Sequence, residues 1–243
     1  GAYGAEVAEL IASVRAWDRL HNRVVWLALA ELGLAYRDSR LKQSLTDAEV
    51  GGGRLWGPTG RWVVLDATFA VRQGSLSSRV AYSQLAGVLG VELGERVPER
   101  ELRRSKGMVL DDADHDTWSA GSFFTNPILT TAEAECLPED APRYPVTDHS
   151  QVVLGTKEAP VVEGLVKTSA AWLIDHAGFT KGFTVEAEAP AGLSTKHVLA
   201  LTNRGGATGA DLVRLRDAIV TGVRERYGVT LVPEPVQVGF SML

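Results

Sequence analysis

The sequence predicts an α+β fold arranged as two lobes, with a boundary near residues 105–109. Three observations support this prediction. Strand and helix patterns alternate irregularly, the chain contains no internal repeat or low-complexity stretch, and a long helical pattern lies near the C-terminal end. Irregular alternation is typical of α+β proteins, although it leaves an α/β arrangement open.

The first lobe begins with a predicted hairpin. Residues 10–17 and 23–29 are short apolar runs separated by a polar break, which is the pattern of two paired strands. The run 61–71 is the strongest strand pattern, because one face collects alternate apolar residues: Val63, Leu65, Ala67, Phe69 and Val71. The glycines at 51–53 predict a surface loop rather than a phosphate-binding loop, since no strand and helix flank them.

Beyond residue 71 the patterns predict three helices, which cover 78–90, 98–109 and 166–178. They also predict three strands, which cover 121–129, 197–203 and 229–235. Pro98 suits the first turn of a helix, where a missing N–H costs nothing. Gly178 suits the end of one, because glycine readily adopts the left-handed conformation found there.

A last helix is the most strongly marked element. Thr208 followed three residues later by Asp211 resembles a capping box, in which each side chain satisfies a backbone N–H of the other residue. Apolar residues then recur at helical spacing, at Leu212, Leu215, Ile219 and Val223. The pattern predicts an amphipathic helix that packs against the core.

Composition and charge exclude several classes of function. The 243 residues carry a net charge of −5, so we expect no general attraction to nucleic acid or to anionic lipid. The chain has one cysteine, Cys136, which lies among acidic residues and is expected to be an inert thiol in a reducing compartment. No apolar run approaches the ~20 residues of a membrane span, and no signal peptide is recognised. We therefore expect a cytoplasmic protein.

Three residues stand out as candidates for chemistry, and each also has an ordinary structural explanation. Ser122 lies in "SAGSFFTNP" without a neighbouring base, so it is either a small residue at a close backbone approach or a proton donor to carbon. Arg37 is either a fixed cation for an anionic group or a surface partner of Asp38. Glu234 lies between two prolines. It is either a carboxylate whose direction the restrained backbone holds, or part of a stiff surface turn.

Other polar clusters are weaker candidates. Asp114 and Asp116 flank a histidine, but no further His or Cys stands at ligand spacing, so we predict no metal site. Arg103, Arg104 and Lys106 could hold a diphosphate or form a solvated helix face.

Taken in order, these segments resemble one known family. The resemblance is carried by the segments "GAYG", "YRDS", "RRSKGMV", "SAGSFFTNP", "STKHVLALTNRGGAT" and "LVPEPV". The family is that of the UDP-N-acetylenolpyruvoylglucosamine reductases, and the sequence resembles its actinobacterial branch. That family uses FAD and NADPH to reduce an enolpyruvyl double bond in peptidoglycan precursor synthesis. The resemblance implies a UDP-sugar substrate, a monomer, and no nucleic-acid or membrane partner.

The resemblance also implies roles for individual residues. Arg37, Ser122 and Glu234 match the catalytic residues, with Ser122 as the proton donor and the other two stabilising an enolate-like intermediate. Further matches imply a set of substrate-binding residues, namely Tyr82, Lys106, Asn126 and His197. A flavin-facing loop is implied at Gly1, Ala2, Tyr3 and Gly4.

The family's glycine-rich segments that hold the FAD diphosphate have no counterpart in this sequence, which suggests a chain lacking the N-terminal part of the flavin domain. The implied domains are the remainder of the flavin domain at 1–106, a substrate-binding domain at 107–228, and a C-terminal return to the flavin domain at 229–243. Exposed apolar surface is expected where the missing part would pack. The alternative to a working reductase is a non-catalytic UDP-sugar-binding remnant that cannot hold flavin.

Overall fold

The structure is a computed structural model, and it describes residues 6–71, 73, 79–80, 86–87, 90–95, 107–151 and 159–239. It mixes helices with antiparallel strand pairs, which confirms the α+β class. The chain divides into two compact units. The first comprises Gly1–Arg100, Thr147–Val162 and Gln237–Leu243, and the second Glu101–Val146 and Glu163–Val236. The domain bounds implied by the resemblance remain a prediction.

The first unit contains the predicted hairpin and the predicted strand after it. Strands β1 (Ile11–Asp18) and β2 (Arg23–Ala28) pair antiparallel, and β3 (Trp62–Phe69) pairs antiparallel with the other edge of β1. The strand order is therefore β2-β1-β3. Two short helices follow β2, α1 (Leu29–Leu32) and α2 (Arg40–Gln43).

This sheet is covered only in part. Its small apolar core consists of Ile11, Val14, Ala16, Leu27, Leu32 and Trp62. The face of β3 that the sequence pattern picked out is exposed, with Leu65 at 48% and Val71 just beyond the strand at 73%. Trp26 on β2 is 61% exposed. The alternation on β3 correctly shows which side chains share a face, but none of the described residues covers that face.

The second part of the fold combines short strands and helices with one long helix. A 3-10 turn at His115–Thr117 precedes six further strands and three further helices among the described residues. The strands are β4 (Ser119–Ser122), β5 (Ile128–Thr130), β6 (Arg143–Thr147), β7 (Val161–Thr168), β8 (Ala191–Leu193) and β9 (Ala200–Asn203). The helices are α3 (Thr131–Glu135), α4 (Ala170–His176) and α5 (Gly209–Tyr227). The strands form two sheets of order β4-β9-β8 and β5-β7-β6.

The predicted capping box and amphipathic face of α5 are confirmed. The Thr208 hydroxyl accepts the Asp211 N–H, and the Asp211 carboxylate accepts the Thr208 N–H at 2.8 Å. Leu215, Ile219 and Val223 are fully buried. They join a large core with residues of α4, β8, β9 and several connecting segments, among them Phe124, Leu173, Ile174, Leu193 and Leu201.

Three sequence predictions differ clearly from the structure in their extent, and a fourth is wrong. The strand predicted over 121–129 is two strands in different sheets, because Gly121 has a left-handed φ of 82° and the chain changes sheet before Ile128. The helix predicted over 166–178 begins at Ala170, where the Ser169 side chain caps it, since the preceding residues belong to β7.

The strand predicted over 197–203 begins at Ala200. The strand predicted over 229–235 is wrong, because only a single bridge joins Pro233 to Phe124 and a proline has no N–H to extend a ladder. Most residues of the helices predicted over 78–90 and 98–109 lie outside the described residues. Among the described helices, none has the length and apolar character that crossing a membrane requires.

Candidate functional site

Ser122 lies at the end of β4 and is held there by backbone pairing. It faces Ala200 of β9 in the strand register, and the next N–H, that of Phe123, donates to Leu199 O at 2.8 Å. The serine is half-buried. A Cβ placed on the preceding Gly121 would meet no atom within 4 Å. Strand pairing therefore fixes the backbone of Ser122, and its side chain is only partly enclosed by the described residues.

His197 is the side-chain partner of Ser122. Its Nε2 lies 3.0 Å from Ser122 Oγ, although the two residues are 75 positions apart. Our interpretation of Ser122 as a serine without a neighbouring base considered only residues close in sequence, and it missed this contact. The pairing of β4 with β9 creates it, because His197 lies on the loop that leads into β9. Which atom donates depends on the imidazole tautomer.

The loop that carries His197 is anchored by a buried serine. Ser194 follows β8, is fully buried, and accepts two backbone N–H groups with its hydroxyl. These come from Lys196 at 3.0 Å and from His197 itself at 3.2 Å. The main chain of His197 therefore has a fixed position relative to β8.

Asp116 anchors the same loop from the 3-10 turn. Its buried carboxylate accepts the Thr195 N–H at 2.9 Å and also the Thr195 hydroxyl, and it contacts Arg204 at 3.0 Å. Burial by itself raises the pKa of Asp116. The hydrogen bonds from Thr195 and the charge of Arg204 outweigh burial and hold the pKa below its ordinary value. Asp116 is thus an ionised anchor for the loop.

Asp114 forms a second ion pair with this loop, to Lys196. The hydrogen bond from Lys196 lowers the pKa of Asp114, and the same bond raises the pKa of Lys196. In the part of the chain that the structure describes, no cluster of three or more acidic, His or Cys side chains could hold a metal ion. The two aspartates serve instead as anchors for the loop next to Ser122, a role that the sequence did not predict.

Glu234 is brought to the same place by the C-terminal segment. Its N–H donates to Phe123 O at 2.8 Å, and the Thr125 N–H donates to Val232 O at 3.0 Å. Glu234 is half-buried. Its main chain therefore lies directly beside the residue after Ser122, although the two segments are far apart in sequence.

Asn126 has a structural contact of its own. Its side-chain oxygen accepts the Ala170 N–H at 3.0 Å, at the start of α4, where the Ser169 hydroxyl accepts the Trp172 N–H. The side chain thus helps to cap this helix. Substrate binding by Asn126 stays a prediction.

Arg37 belongs to the first unit and lies in a tight turn. Ala35 and Asp38 exchange backbone hydrogen bonds of 3.1 and 3.2 Å, and the turn gives Arg37 a positive φ of 55°. The guanidinium lies 5.2 Å from the centre of the Tyr36 ring. The Asp38 carboxylate accepts hydrogen bonds from the Ser39 N–H and from Gln43. A non-glycine residue in the left-handed region stores strain that is often found at functional positions.

The remaining predicted site residues lie outside the described residues. These are Tyr82, Lys106 and the proposed flavin-facing residues Gly1, Ala2, Tyr3 and Gly4. The structure therefore brings together Ser122 and His197 by their side chains, and Glu234 by its main chain.

Comparison with known proteins identifies the family. Residues 112–238, more than half of the chain, match the family model of the UDP-N-acetylenolpyruvoylglucosamine reductase C-terminal domain. Relatives named UDP-N-acetylenolpyruvoylglucosamine reductase match over the whole chain, with 46% identity in Cutibacterium acnes and 47% in Streptomyces coelicolor. The chain belongs to the UDP-N-acetylenolpyruvoylglucosamine reductase family.

The match covers only part of each relative. The chain spans 58% of the Cutibacterium acnes protein and 60% of the Streptomyces coelicolor protein. A crystal structure of UDP-N-acetylenolpyruvylglucosamine reductase from Thermus caldophilus aligns with 96% of this chain and 55% of its own, at 19% identity and a TM-score of 0.46.

Proposed function

We propose that this chain is part of an FAD- and NADPH-dependent reductase. The enzyme reduces UDP-N-acetylglucosamine enolpyruvate to UDP-N-acetylmuramate in cytoplasmic peptidoglycan precursor synthesis. One observation above all supports the proposal. A half-buried serine, whose backbone is fixed by strand pairing, has its hydroxyl 3.0 Å from His197 Nε2, and the residue after it accepts the main-chain N–H of half-buried Glu234. Family membership supplies the reaction to which this arrangement is suited.

In the proposed reaction Ser122 gives its hydroxyl proton to the carbon next to the one that receives hydride. A positioned proton donor supplies roughly 10²–10⁴-fold in rate. The register of β4 on β9 fixes the backbone that carries the hydroxyl, and His197 Nε2 lies 3.0 Å from the hydroxyl oxygen. When FAD is bound, it supplies the hydride that it has received from NADPH.

Arg37 and Glu234 are proposed to stabilise the enolate-like intermediate. Negative charge develops on the substrate carboxylate as hydride arrives, and fixed donors aimed at developing charge contribute most to catalysis. Arg37 can do this as a cation. A glutamate can do it only as a neutral acid that donates its O–H. The proline on each side of Glu234 restrains the backbone that carries it.

Substrate binding is proposed for Tyr82, Lys106, Asn126 and His197. Lys106 is a cation suited to a phosphate group, and Asn126 has an amide N–H₂ besides the oxygen that caps α4. FAD binding is proposed for the loop Gly1–Gly4. We also propose that the protein acts as a monomer.

The experiment that tests the proposal separates two half-reactions by stopped-flow, in the full protein that contains this chain. We expect Ser122→Ala to leave flavin reduction by NADPH unchanged and to slow flavin reoxidation by the UDP-sugar enol ether by about 10²–10⁴-fold. Ser119→Ala is the control, since this hydroxyl lies at the other end of β4 and accepts the Gly121 N–H. An undiminished reoxidation rate would remove Ser122 from the mechanism. Saturable binding of the UDP-sugar without flavin binding or turnover would favour the non-catalytic alternative.

A further inference from the structure

The contact between Ser122 and His197 sets a condition on the proposed role of Ser122. The two atoms are 3.0 Å apart, so one of them donates to the other. If Ser122 donates its proton to Nε2, that proton points at the imidazole and away from any substrate. If Nε2–H donates to Ser122 Oγ, the serine proton is free to point elsewhere. Only the second arrangement is compatible with a serine that protonates carbon.

The second arrangement also stabilises the serine oxygen after it has lost its proton. When the Ser122 O–H bond breaks and a C–H bond forms, the oxygen is left negatively charged. A hydrogen bond to a charged oxygen is worth more than one to a neutral oxygen. A doubly protonated imidazole can then pass its Nε2 proton to Ser122 Oγ and remain as neutral imidazole with Nδ1–H. Water restores the second imidazole proton.

We propose that His197 is a positioning residue that donates its Nε2 hydrogen to Ser122 Oγ and resupplies that oxygen with a proton in each turnover. The inference rests on the proposed function and extends it to a residue for which the family resemblance implies only substrate binding. No oxidant or reductant is needed, since only a proton moves from water through His197 and Ser122 to carbon.

The surroundings of His197 hold its loop in place. Ser194 Oγ accepts the His197 N–H, and Asp116 accepts the N–H and the hydroxyl of the adjacent Thr195. Among the described residues, the charged groups at this loop and at the segments bonded to it are Asp114, Asp116, Lys196, Arg204 and Glu234. Two ion pairs, Asp114 with Lys196 and Asp116 with Arg204, join the loop to the segments on either side of it.

The tautomer can be measured without any reaction. In ¹⁵N-histidine-labelled protein, His197 is assigned by the signals lost in His197→Ala, and its ring nitrogens are followed between about pH 5 and 8. We expect a proton on Nε2 throughout, and a change in that signal in Ser122→Ala. A neutral ring with a bare Nε2 and a proton on Nδ1 would overturn the proposal.

Kinetics test the relay through Ser122. We expect His197→Ala to slow flavin reoxidation by the UDP-sugar enol ether about 10- to 100-fold at saturating substrate, which is the worth of one hydrogen bond to a charged group. Flavin reduction by NADPH should not change. His197→Gln places an amide N–H near the Nε2 position, so it should restore part of the rate.

Two further outcomes bear on the same proposal. In a Ser122→Ala background, His197→Ala should cause little additional loss, because the histidine acts through the serine. An equal loss in both backgrounds, or a raised KM with an unchanged reoxidation rate, would assign His197 to substrate binding alone and overturn the relay. Failure of the wild-type protein to reoxidise with the substrate would count against the proposed function, and the tautomer measurement would still judge the hydrogen bond.

Discussion

The sheet of the first unit and the core of the second bury their side chains in different ways. In β2-β1-β3 the best-buried polar group is an ion pair, Asp18 with Arg61, while Trp26 and Leu65 lie exposed. In the second unit, α5 and its neighbouring strands enclose a large apolar cluster in which Leu215 is fully buried. Among the described residues, the first unit thus has a small apolar core beside a buried ion pair, and the second has a large apolar core. The difference shows that two parts of one chain can be stabilised by different forces, and substitutions can measure each.

The largest expected loss comes from the buried ion pair of the first unit. Arg61 donates to both oxygens of Asp18, at 3.0 and 2.8 Å, and both side chains are nearly buried. We expect Asp18→Asn to lower the free energy of unfolding by about 3–5 kcal/mol, because it leaves the Arg61 charge buried without its partner. Urea denaturation measures the loss.

The control for this prediction is an ion pair in the same sheet. Arg15 and Asp66 pair across β1 and β3, but each side chain is 42% exposed. We expect Asp66→Asn to cost at most about 1 kcal/mol, since solvent screens the pair. Equal losses for the two substitutions would show that burial of the Asp18 pair is not what matters.

The same pair predicts how the stability of the first unit depends on pH. The hydrogen bonds from Arg61 outweigh the effect of burial and hold the pKa of Asp18 well below its usual range. A lowered folded-state pKa stabilises the fold above the unfolded value of about 3.9, and this stability is lost as pH falls below it. Asp18→Asn should flatten that part of the stability curve, which acid titration of the unfolding free energy measures. An unchanged acid limb would contradict the prediction.

The next largest effect compares one substitution in the two regions. Leu215 is fully buried in the core of the second unit, whereas Leu65 on β3 is 48% exposed. We expect Leu215→Ala to cost about 2–5 kcal/mol, the usual range for a cavity in a packed core. Leu65→Ala should cost less than about 1 kcal/mol. A loss for Leu65→Ala as large as that for Leu215→Ala would show that β3 is covered in solution.

A smaller effect is expected at the start of α5. Thr208→Ala removes the hydroxyl that accepts the Asp211 N–H, at a cost of about 0.5–2 kcal/mol. The pKa of Asp211, lowered to about 2 chiefly by the hydrogen bonds from Thr208, should rise. The control is Thr221→Ala, at an exposed position inside the same helix, which should be neutral or slightly stabilising because alanine is the better helix former. Thermal unfolding and carboxyl NMR measure the two effects, and losses of the same sign would contradict the capping argument.

The smallest effect concerns the strained turn at Arg37. Both Arg37→Gly and Arg37→Ala remove the guanidinium, but only glycine adopts the φ of 55° without steric cost. We expect Arg37→Gly to be more stable than Arg37→Ala by about 1 kcal/mol. The two variants should lose the same amount of flavin reoxidation activity, because that loss depends on the missing cation. Equal stability would show that the turn changes its conformation when Arg37 is replaced.

Local patterns account for what the sequence predicted correctly. The hairpin of β1 and β2 and the capping box of α5 depend on residues close together in the chain, so their patterns can be recognised without the fold. Alternation along β3 revealed which side chains share a face, but burial of that face depends on what lies against it. Pattern alone therefore predicted the strand and not its exposure.

The candidate site shows the opposite case. His197 reaches Ser122 only through the pairing of β4 with β9, and the bridge of Pro233 to Phe124 brings the Glu234 main chain beside Phe123. No local signal marks a contact between residues 75 positions apart. The anchoring role of Asp116 was missed for the same reason, because Thr195 and Arg204 come from distant segments.

The peptide of Phe123 has a consequence for how this site can vary. Its N–H donates to Leu199 and its carbonyl oxygen accepts from Glu234, so one residue joins two distant segments without using its ring. The main-chain contacts would survive many replacements of the phenylalanine, whereas proline would abolish the first, because it has no N–H. Backbone hydrogen bonds therefore set the spacing between the main chains of the serine and the glutamate. Side chains around them can be replaced without changing that spacing.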